Sequence, residues 1–365
     1  MVDLQRSPSV LYFAVRYDFY PRNRRIRQYL EQRYGADITI VPALIRGNVV
    51  VRYLRQLKLA LKAGSDYDLV VLAEFNLHYF PFSWIAAKRS KAPHVVDFFV
   101  GKYESAVLDR QTHAPRSLRA RSLRLVDKWA ILSSTLCLTD TGVRAREFSA
   151  IAADRRSFRV LPVGAPPWAY PRADAHALTG TEQTAKLLYY GNYIPLHGLG
   201  AVVAALPLVG SPVEVTLIGN GKLRAKIENE VARLGFSDRV TFLGHIDESE
   251  LAAVIADHDV VLGIFGTSSK AAGVIANKVW QGLYMGKTVV TRASEALDDI
   301  SEICGDHLVQ VADADPASIA AAIDAAIGHA RSRTGVDDTI AARLDAHVVS
   351  QFDSVFDELL SAPAK

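Results

Sequence analysis

Two lysines and an asparagine lie where a strand gives way to a helix in the C-terminal half of the chain. The strand is predicted to run out at Phe265–Gly266, a loop of small residues carrying Lys270 follows, and a helix starts near Asn277, which can serve as its N-cap. Lys278 then falls in the first helical turn, where the helix dipole disfavours a cation. A diphosphate bound at the same helix end would offset that cost. We interpret the junction as a phosphate site; the alternative is an ordinary strand–helix–strand unit with two surface lysines.

A second strand-to-helix turn has the sequence TLIGNGKLRAKIENEV. Gly219 ends the strand, Gly221 opens the helix, and Asn220 lies between them. Glycines let a ligand approach the backbone closely, and free N–H groups at a helix start attract an anion. Lys222 and Arg224 add positive charge to the turn. Because Arg224 stands where a G-x-G-x-x-G dinucleotide motif needs its last glycine, that motif is absent. A tight turn with basic surface residues is the alternative.

A third glycine-bounded loop, GNYIPLHGLG, covers residues 191–200 and leads into another predicted helix. Gly191 and Asn192 follow the preceding strand, and His197 could contact an anion or a sugar hydroxyl. A loop histidine with its hydrogen bonds already satisfied fits the sequence equally well.

Acidic residues mark one strand end in the N-terminal half, within HVVDFFVGKYESAVLDR. Asp97 ends the predicted strand, and Glu104, Asp109 and Arg110 follow in a polar loop. A carboxylate at a strand end that faces a cleft can act as a base or stabilise positive charge. A helix cap or a structural ion pair is the alternative for Asp97.

These residues belong to two series of alternating apolar strands and helices. Strands buried on both faces and separated by helices predict parallel, doubly wound sheets, which bind ligands at the carboxyl ends of their strands. Residues 1–165 and 186–338 are predicted to be two such domains, joined by a Pro-rich linker over 166–185. An amphipathic helix over 339–365 follows.

Composition describes an ordinary globular protein with a mild net charge of +3 over 365 residues. That charge does not favour nucleic acid as a partner. Cys137 and Cys304 have no metal-type spacing and are predicted to be buried thiols, as in a reducing cytosol. Neither a signal-peptide core nor a membrane-spanning apolar run is present, so we expect a cytoplasmic protein with at most peripheral contact with a membrane.

Residues 186–327 resemble the C-terminal domain of glycosyltransferase family 4, the group 1 glycosyltransferases. The resemblance rests on an ordered set of segments rather than on any single motif. In chain order the segments are GNYIPLHGL, TLIGNGKLR, VTFLGHIDESELAAVIADHDVVL, NKVWQGLYMGKTVVT and VADADPASIAAAI. The N-terminal half matches more loosely, through VVDFFVGKYESAVLDR and LTDTGVRAREF.

The resemblance implies a GT-B fold, with two facing Rossmann-like domains that bind the acceptor on the N-terminal one and the donor on the C-terminal one. It implies retaining, metal-independent transfer from a UDP- or GDP-linked sugar to a glycan, lipid-linked or small-molecule acceptor. The nucleobase would lie by the loop that contains His245 and Ile246, and the diphosphate by the turn at residues 219–221 and the helix start at Asn277–Lys278. It also implies that residues 339–365 pack back on the N-terminal domain.

This sequence departs from the family pattern where charge matters most. Acids of the family's E-x7-E motif are replaced by Gly273 and Gln281. Gln281 can still hydrogen-bond a ribose, whereas Gly273 cannot replace a carboxylate. The family's diphosphate-binding Arg and Lys fall on Asn192 and His197, so Lys270 and Lys278 are expected to supply the missing charge. Asp97 matches a strand end where the family often places a His or Asp facing the transferred sugar, and is our candidate catalytic residue.

Two other functions remain open from sequence alone. A GT-B protein that binds nucleotide but has lost catalysis would release no nucleotide from a donor, and a GT-B nucleotide-sugar epimerase would yield an epimerised sugar.

Overall fold

A computed structural model describes residues 6–109, 112–171, 178, 183–333 and 339–361. The chain divides into two compact units. The first contains residues 1–163 and 348–365, and the second contains residues 164–347.

The first unit is built on a six-stranded sheet in the order β2-β1-β3-β4-β5-β6, with every neighbouring pair parallel. Its elements are β1 Ser9–Val15, α1 Pro21–Tyr34, β2 Asp37–Pro42, α2 Val49–Lys62, β3 Leu69–Leu72, α3 Phe80–Ser90, β4 His94–Asp97, α4 Leu118–Ser133, β5 Leu136–Thr139, α5 Gly142–Ser149 and β6 Phe158–Val160. A π-type turn over Glu104–Asp109 occupies the predicted polar loop. The strands β3, β4 and β5 are buried throughout, which explains their continuous apolar runs.

The second unit repeats the plan with a sheet in the order β12-β11-β10-β7-β8-β9, again parallel throughout. Its elements are β7 Ala185–Tyr190, α6 Leu199–Ala205, β8 Val213–Ile218, α7 Arg224–Arg233, β9 Val240–Leu243, α8 Glu248–Ala256, β10 Val260–Leu262, α9 Ser269–Gly273, α10 Asn277–Tyr284, β11 Thr288–Arg292, α11 Asp298–Cys304, β12 Leu308–Val311, α12 Pro316–Ser332 and α13 Thr339–Ser361. Both sheets place the ends of successive strands at one edge, where their loops can assemble a site.

Three local predictions in the second unit are wrong. Asn277 is the first residue of α10 rather than its N-cap, a position held by Ala276 without any side-chain cap. The small-residue loop contains the short helix α9, which Ser268 caps by accepting from the Ala271 N–H. Helix α7 begins at Arg224, three residues after Gly221.

The last helix, α13, contributes residues to both units. Its later residues Phe352 and Phe356 are fully buried in the first unit, and Tyr34 of α1 donates its hydroxyl to Asp357 at 2.6 Å. The ring of Tyr29 packs edge-on against Phe352 at 4.9 Å between centroids. The core of the first unit therefore depends on residues from the opposite end of the chain.

Two further observations concern the cysteines and the lengths of the helices. Both cysteines are buried free thiols, which confirms that prediction. None of the described helices is long and apolar enough to span a bilayer.

Candidate functional site

Three loops meet at the carboxyl edge of the second sheet, and glycines set how closely they pack. A Cβ on Gly219, whose φ is +125°, would collide with the carbonyl oxygen of Gly191. A Cβ on Gly221, with φ +156°, would lie 2.7 Å from the backbone nitrogen of Tyr193. The glycines of the turn after β8 are therefore needed for contact between two backbones, apart from any role in binding a ligand.

The loop after β10 packs against the loop after β7 in the same way. A Cβ on Gly198 would lie 2.6 Å from the Gly266 nitrogen, and one on Gly266 would collide with the Leu196 carbonyl. The Phe265 N–H donates to the His197 carbonyl at 3.0 Å. Together the contacts fix the positions of three strand ends relative to one another.

Lys278 lies beneath these loops and is 4% exposed. Its Nζ has no hydrogen-bond partner among the described residues. It lies 4.0 Å from the centre of the Tyr189 ring and would be 3.4 Å from a Cβ on Gly191. Burial lowers the pKa of Lys278 well below its ordinary value. The alternative of a surface lysine is wrong, because tertiary packing has buried the first turn of α10.

His197 lies near Lys278 at this edge of the sheet, but its surroundings disfavour the positive charge that would attract an anionic ligand. The Tyr189 hydroxyl donates to the Asn192 carbonyl at 2.9 Å and lies 2.7 Å from His197 Nδ1. Since that hydroxyl has one proton, Nδ1 is the donor in the second bond. Burial, then the charge of Lys278, lowers the pKa of His197 to about 3. His197 is therefore a neutral imidazole that brings no positive charge of its own.

Lys270 and Gln281 are brought to the same edge with unequal exposure. Lys270, half-buried in α9, is close enough to His197 for its charge to contribute to the lowered pKa. Gln281 is buried, and its Oε1 accepts from the Tyr190 hydroxyl at 2.9 Å. The acid that the family pattern has at this position is thus replaced by an amide bonded to the sheet.

The other predicted donor residues lie on the rim of this edge. Asn220 and Lys222 are exposed in the turn after β8, and His245 is exposed and Ile246 half-buried in the loop after β9. Asn220 Oδ1 accepts from Arg224 Nη1 at 3.0 Å. The same nitrogen donates to the carbonyls of Gly219 and Leu243, so Arg224 links the two loops.

Asp97 ends β4 in the first unit, at the carboxyl edge of that sheet. Its side chain is fully buried, and both oxygens accept from Arg22 Nε at 2.8 and 2.9 Å. Burial raises the pKa of Asp97, while the charge and hydrogen bonds of Arg22 oppose that rise. Arg22 also donates to the Leu161 carbonyl at 2.5 Å. The pair joins β4 to the start of α1 and to the end of β6.

The remaining acidic residues of this edge also have defined neighbours. Glu104 receives two hydrogen bonds from the buried Arg144, one of them at 2.6 Å from Nη2. Asp109 is half-buried at the end of the π-type turn, and Arg110 lies outside the described residues. Glu74, which the sequence analysis did not single out, accepts from Asn23 at 2.6 Å. Burial, then the charge of Asp97, raises the pKa of Glu74 to about 7.

Residues 184–329 match the family model for the group 1 glycosyl transferases. The matched residues run from just before β7 into α12. No curated protein sequence matches the chain.

Solved structures resemble both units together at low sequence identity. HepE of Anabaena in complex with UDP-glucose is 14% identical, with a TM-score of 0.66, and the match covers 97% of this chain and 100% of that one. Sucrose-phosphate synthase of Thermosynechococcus elongatus is 17% identical at 0.66, covering 98% and 100%. Starch synthase IV of Arabidopsis thaliana, bound to ADP and acarbose, is 12% identical at 0.65, covering 98% and 100%. With the two parallel six-stranded sheets, these matches identify the fold as GT-B.

Sequence reasoning missed the roles of three residues at this edge of the second sheet. Tyr189 and Tyr190 contact His197 and Gln281, and Arg224 links two loops. The two tyrosines end β7 directly before Gly191, and paired aromatic residues at that point were the available signal. Arg224 was expected to add positive charge beside the turn after β8, but not to link two loops. Within the described residues, no group of three or more His, Cys, Asp or Glu side chains could hold a metal ion.

Proposed function

We propose that this protein transfers a sugar from a nucleoside-diphosphate sugar, with Lys278 as the residue that binds the diphosphate. The single observation that carries the proposal is the buried Nζ of Lys278, which has no hydrogen-bond partner in the described structure and lies within the residues that match the group 1 glycosyl transferase family model. Lys270 and the rim residues of the three loops would complete the donor site.

A buried amine without a hydrogen bond is costly, because burial removes its water without replacing it. A bound phosphate oxygen would repay that cost with a charge-assisted hydrogen bond. The start of α10 lies next to Lys278 and leaves its first N–H groups without partners inside the helix, which also favours an anion. Lysine and helix start would act on the same group.

The nature of the donor is supported by the ligands named for similar proteins. HepE is described with UDP-glucose and with UDP and glucose, and starch synthase IV with ADP. The UDP ligands support a UDP-linked sugar as co-substrate. From the resemblance of the sequence to the family we also propose a GDP-linked sugar as the alternative donor, retention of configuration and no catalytic metal. The acceptor would be a glycan, a lipid-linked glycan or a small molecule, used in the cytoplasm or at a membrane surface.

The residues of the site would act mainly on the leaving group. Charge accumulates on the diphosphate as the bond to the sugar breaks, and preorganised donors stabilise that charge without further rearrangement. Lys278 would supply a cation and the start of α10 its N–H groups. The neutral His197, which is hydrogen-bonded to Tyr189, would fix the position of its loop in the site and would carry no charge.

Replacing Lys278 by methionine tests the assignment directly. A charge-assisted hydrogen bond contributes roughly 1.5–3 kcal/mol, so the affinity for UDP or GDP should fall by about 10–100-fold in titration calorimetry. Lys287→Met is the matched control, because Lys287 is a second buried lysine of the same unit whose Nζ donates to the Ala256 carbonyl at 2.8 Å. Equal affinities in wild type and Lys278→Met would refute the assignment.

Turnover needs a separate experiment, since Gly273 stands where the family pattern has an acid. A panel of UDP- and GDP-sugars incubated with the enzyme should release nucleoside diphosphate through slow hydrolysis or transfer. Binding without release would point to a catalytically inactive protein, and an epimerised sugar would point to an epimerase. Either outcome would overturn the proposed reaction while leaving the binding assignment intact.

A further inference from the structure

Three helices of the first unit lie side by side on one face of its sheet. The chain moves in one direction across the sheet from β2 to β5, and right-handed crossovers place α2, α3 and α4 on the same face. Helix α3 contacts α2 on one side and α4 on the other. Helix α1, whose crossover runs in the opposite direction, lies on the other face and contacts α13. We call α2, α3 and α4 the helix layer.

Helix α2 exposes an apolar ridge that nothing in the described structure covers. Val50 and Leu54 are 66% and 62% exposed, and Leu61 continues the same helical face. Arg55 and Lys58 are exposed beside the ridge. Exposed apolar residues in soluble proteins are normally scattered singly, so a row along one helix indicates a surface that meets something apolar.

Helix α4 repeats this combination at the other side of the layer. Leu125 and Trp129 are both more than half exposed, one helical turn apart. Arg121, Arg124 and Lys128 are exposed among them. Trp is the side chain that most often lies at the boundary between water and lipid headgroups.

The layer is strongly and uniformly basic, although the whole chain has a net charge of only +3. Across the residues of the three helices, the one acid is Asp127 of α4. Its carboxylate is buried and accepts from the backbone N–H groups of Lys102 and Tyr103 at 2.8 Å. The outer surface of these helices therefore combines exposed cations with exposed apolar side chains and carries no acidic side chain.

We propose that the helix layer docks this chain onto a bilayer that contains anionic phospholipid. The cations match the charge of the headgroups, and the ridge of α2 and the Trp129 region of α4 enter the boundary between headgroups and acyl chains. A nucleic acid would use the cations but has no counterpart for the aliphatic ridge of α2. A second copy of this chain would bring two basic surfaces together.

Vesicle co-sedimentation tests the proposal with the full-length protein. Wild type should bind vesicles of phosphatidylcholine with phosphatidylglycerol, bind phosphatidylcholine alone at least about tenfold more weakly, and lose binding at high salt. The double variant Val50→Asp, Leu54→Asp should lose binding to the anionic vesicles by about tenfold or more. Leu208→Asp is the matched control, because Leu208 is 55% exposed in the second unit and should leave binding unchanged.

Three further readouts separate this idea from its alternatives. Nucleotide affinity and melting temperature should be the same in the double variant and wild type, so failure of vesicle binding is distinguishable from failure of the donor site. Arg55→Glu with Lys58→Glu should abolish the preference for anionic lipid. Equal vesicle binding by the α2 double variant and wild type would overturn the proposal. It would also be overturned if wild type bound no vesicles and instead formed a dimer, measured by light scattering, that the double variant did not form.

Discussion

Lys278 and Asp97 are both almost wholly buried ionisable residues at the carboxyl edges of their sheets, yet their surroundings differ. Both carboxylate oxygens of Asp97 accept from Nε of Arg22, whereas Lys278 has only an aromatic ring and neutral neighbours. A buried charge with a partner supports the fold, while one without a partner is retained at a cost in stability. This difference favours a ligand-binding role for Lys278 over one for Asp97.

Nucleotide binding should depend on pH through Lys278. Burial lowers the pKa of the free amine, and a bound phosphate would raise it, so binding takes up a proton between the two pKa values. Affinity should therefore fall as pH rises through that interval. Titration calorimetry above about pH 7, where the terminal phosphate is ionised, in buffers of different ionisation enthalpy would measure the uptake. Lys278→Met should remove it; an unchanged uptake would place the proton elsewhere.

Asp97→Asn distinguishes a structural ion pair from a catalytic carboxylate. Leaving Arg22 buried without its counter-charge should lower the free energy of unfolding by about 3–5 kcal/mol, measured by urea denaturation. Glu358→Gln is the control, because its pair with Arg159 is exposed and should contribute less than about 1 kcal/mol. If the variant kept its stability but lost turnover, the result would support the predicted catalytic role of Asp97 and contradict the structural interpretation.

Sequence reasoning was limited at this scale by distance along the chain. Arg22 and Asp97 are 75 residues apart, and nothing in the local pattern of either residue indicates the other. Lys278 was found through the helix dipole, which is a local property, but its burial depends on loops that begin at Gly191 and Gly219. Local sequence patterns could therefore nominate candidate residues such as Lys278, but they could not predict the partners or the exposure of those residues.

At the scale of elements, the three loops at the carboxyl edge of the second sheet pack against one another as one unit. Each loop relies on a glycine that faces another loop's backbone, as Gly219 faces Gly191. Alternation of strands and helices was readable from the sequence because burial on both faces leaves long apolar runs. The close contact of the loops was not, since a glycine in a turn gives no sign of what lies opposite.

Gly219→Ala should destabilise the second unit by roughly 2–4 kcal/mol. The added Cβ has an unfavourable backbone angle and collides with the Gly191 carbonyl, so the loops must separate. Gly328→Ala is the contrasting variant, because Gly328 is exposed within α12 with nothing near its Cβ position, and alanine should stabilise the helix by about 0.5–1 kcal/mol. Chemical denaturation followed by nucleotide affinity would check both; a neutral Gly219→Ala would contradict the packing argument.

At the scale of the whole molecule, the first unit is discontinuous in sequence. The chain leaves it after Val163 and returns at Val348 within α13. The returning segment places Val355 and Phe356 in the core and bonds Asp357 to Tyr34. Stability of the N-terminal half is therefore set partly by the last turns of the final helix.

Phe356→Ala should destabilise the first unit by about 3–5 kcal/mol, the usual cost of removing a buried phenylalanine. Ser354→Ala, on the exposed side of the same helix, is the control and should change stability little. Thermal unfolding would measure the loss of stability, and hydrogen exchange would locate it. Relative to wild type, amide exchange in the variant should accelerate more in α1 than in β8. Loss of protection confined to the second unit would contradict the assignment of these residues to the first.

That discontinuity has a consequence for how the protein is made. During synthesis the sheet of the first unit emerges early, but the face of α1 that receives Phe352 and Phe356 stays uncovered until α13 has been translated. The second unit, contiguous from Gly164 to His347, has all of its strands before that moment. The second unit is therefore synthesised while α1 of the first unit still exposes apolar surface, and such surface makes an incompletely folded chain prone to aggregation.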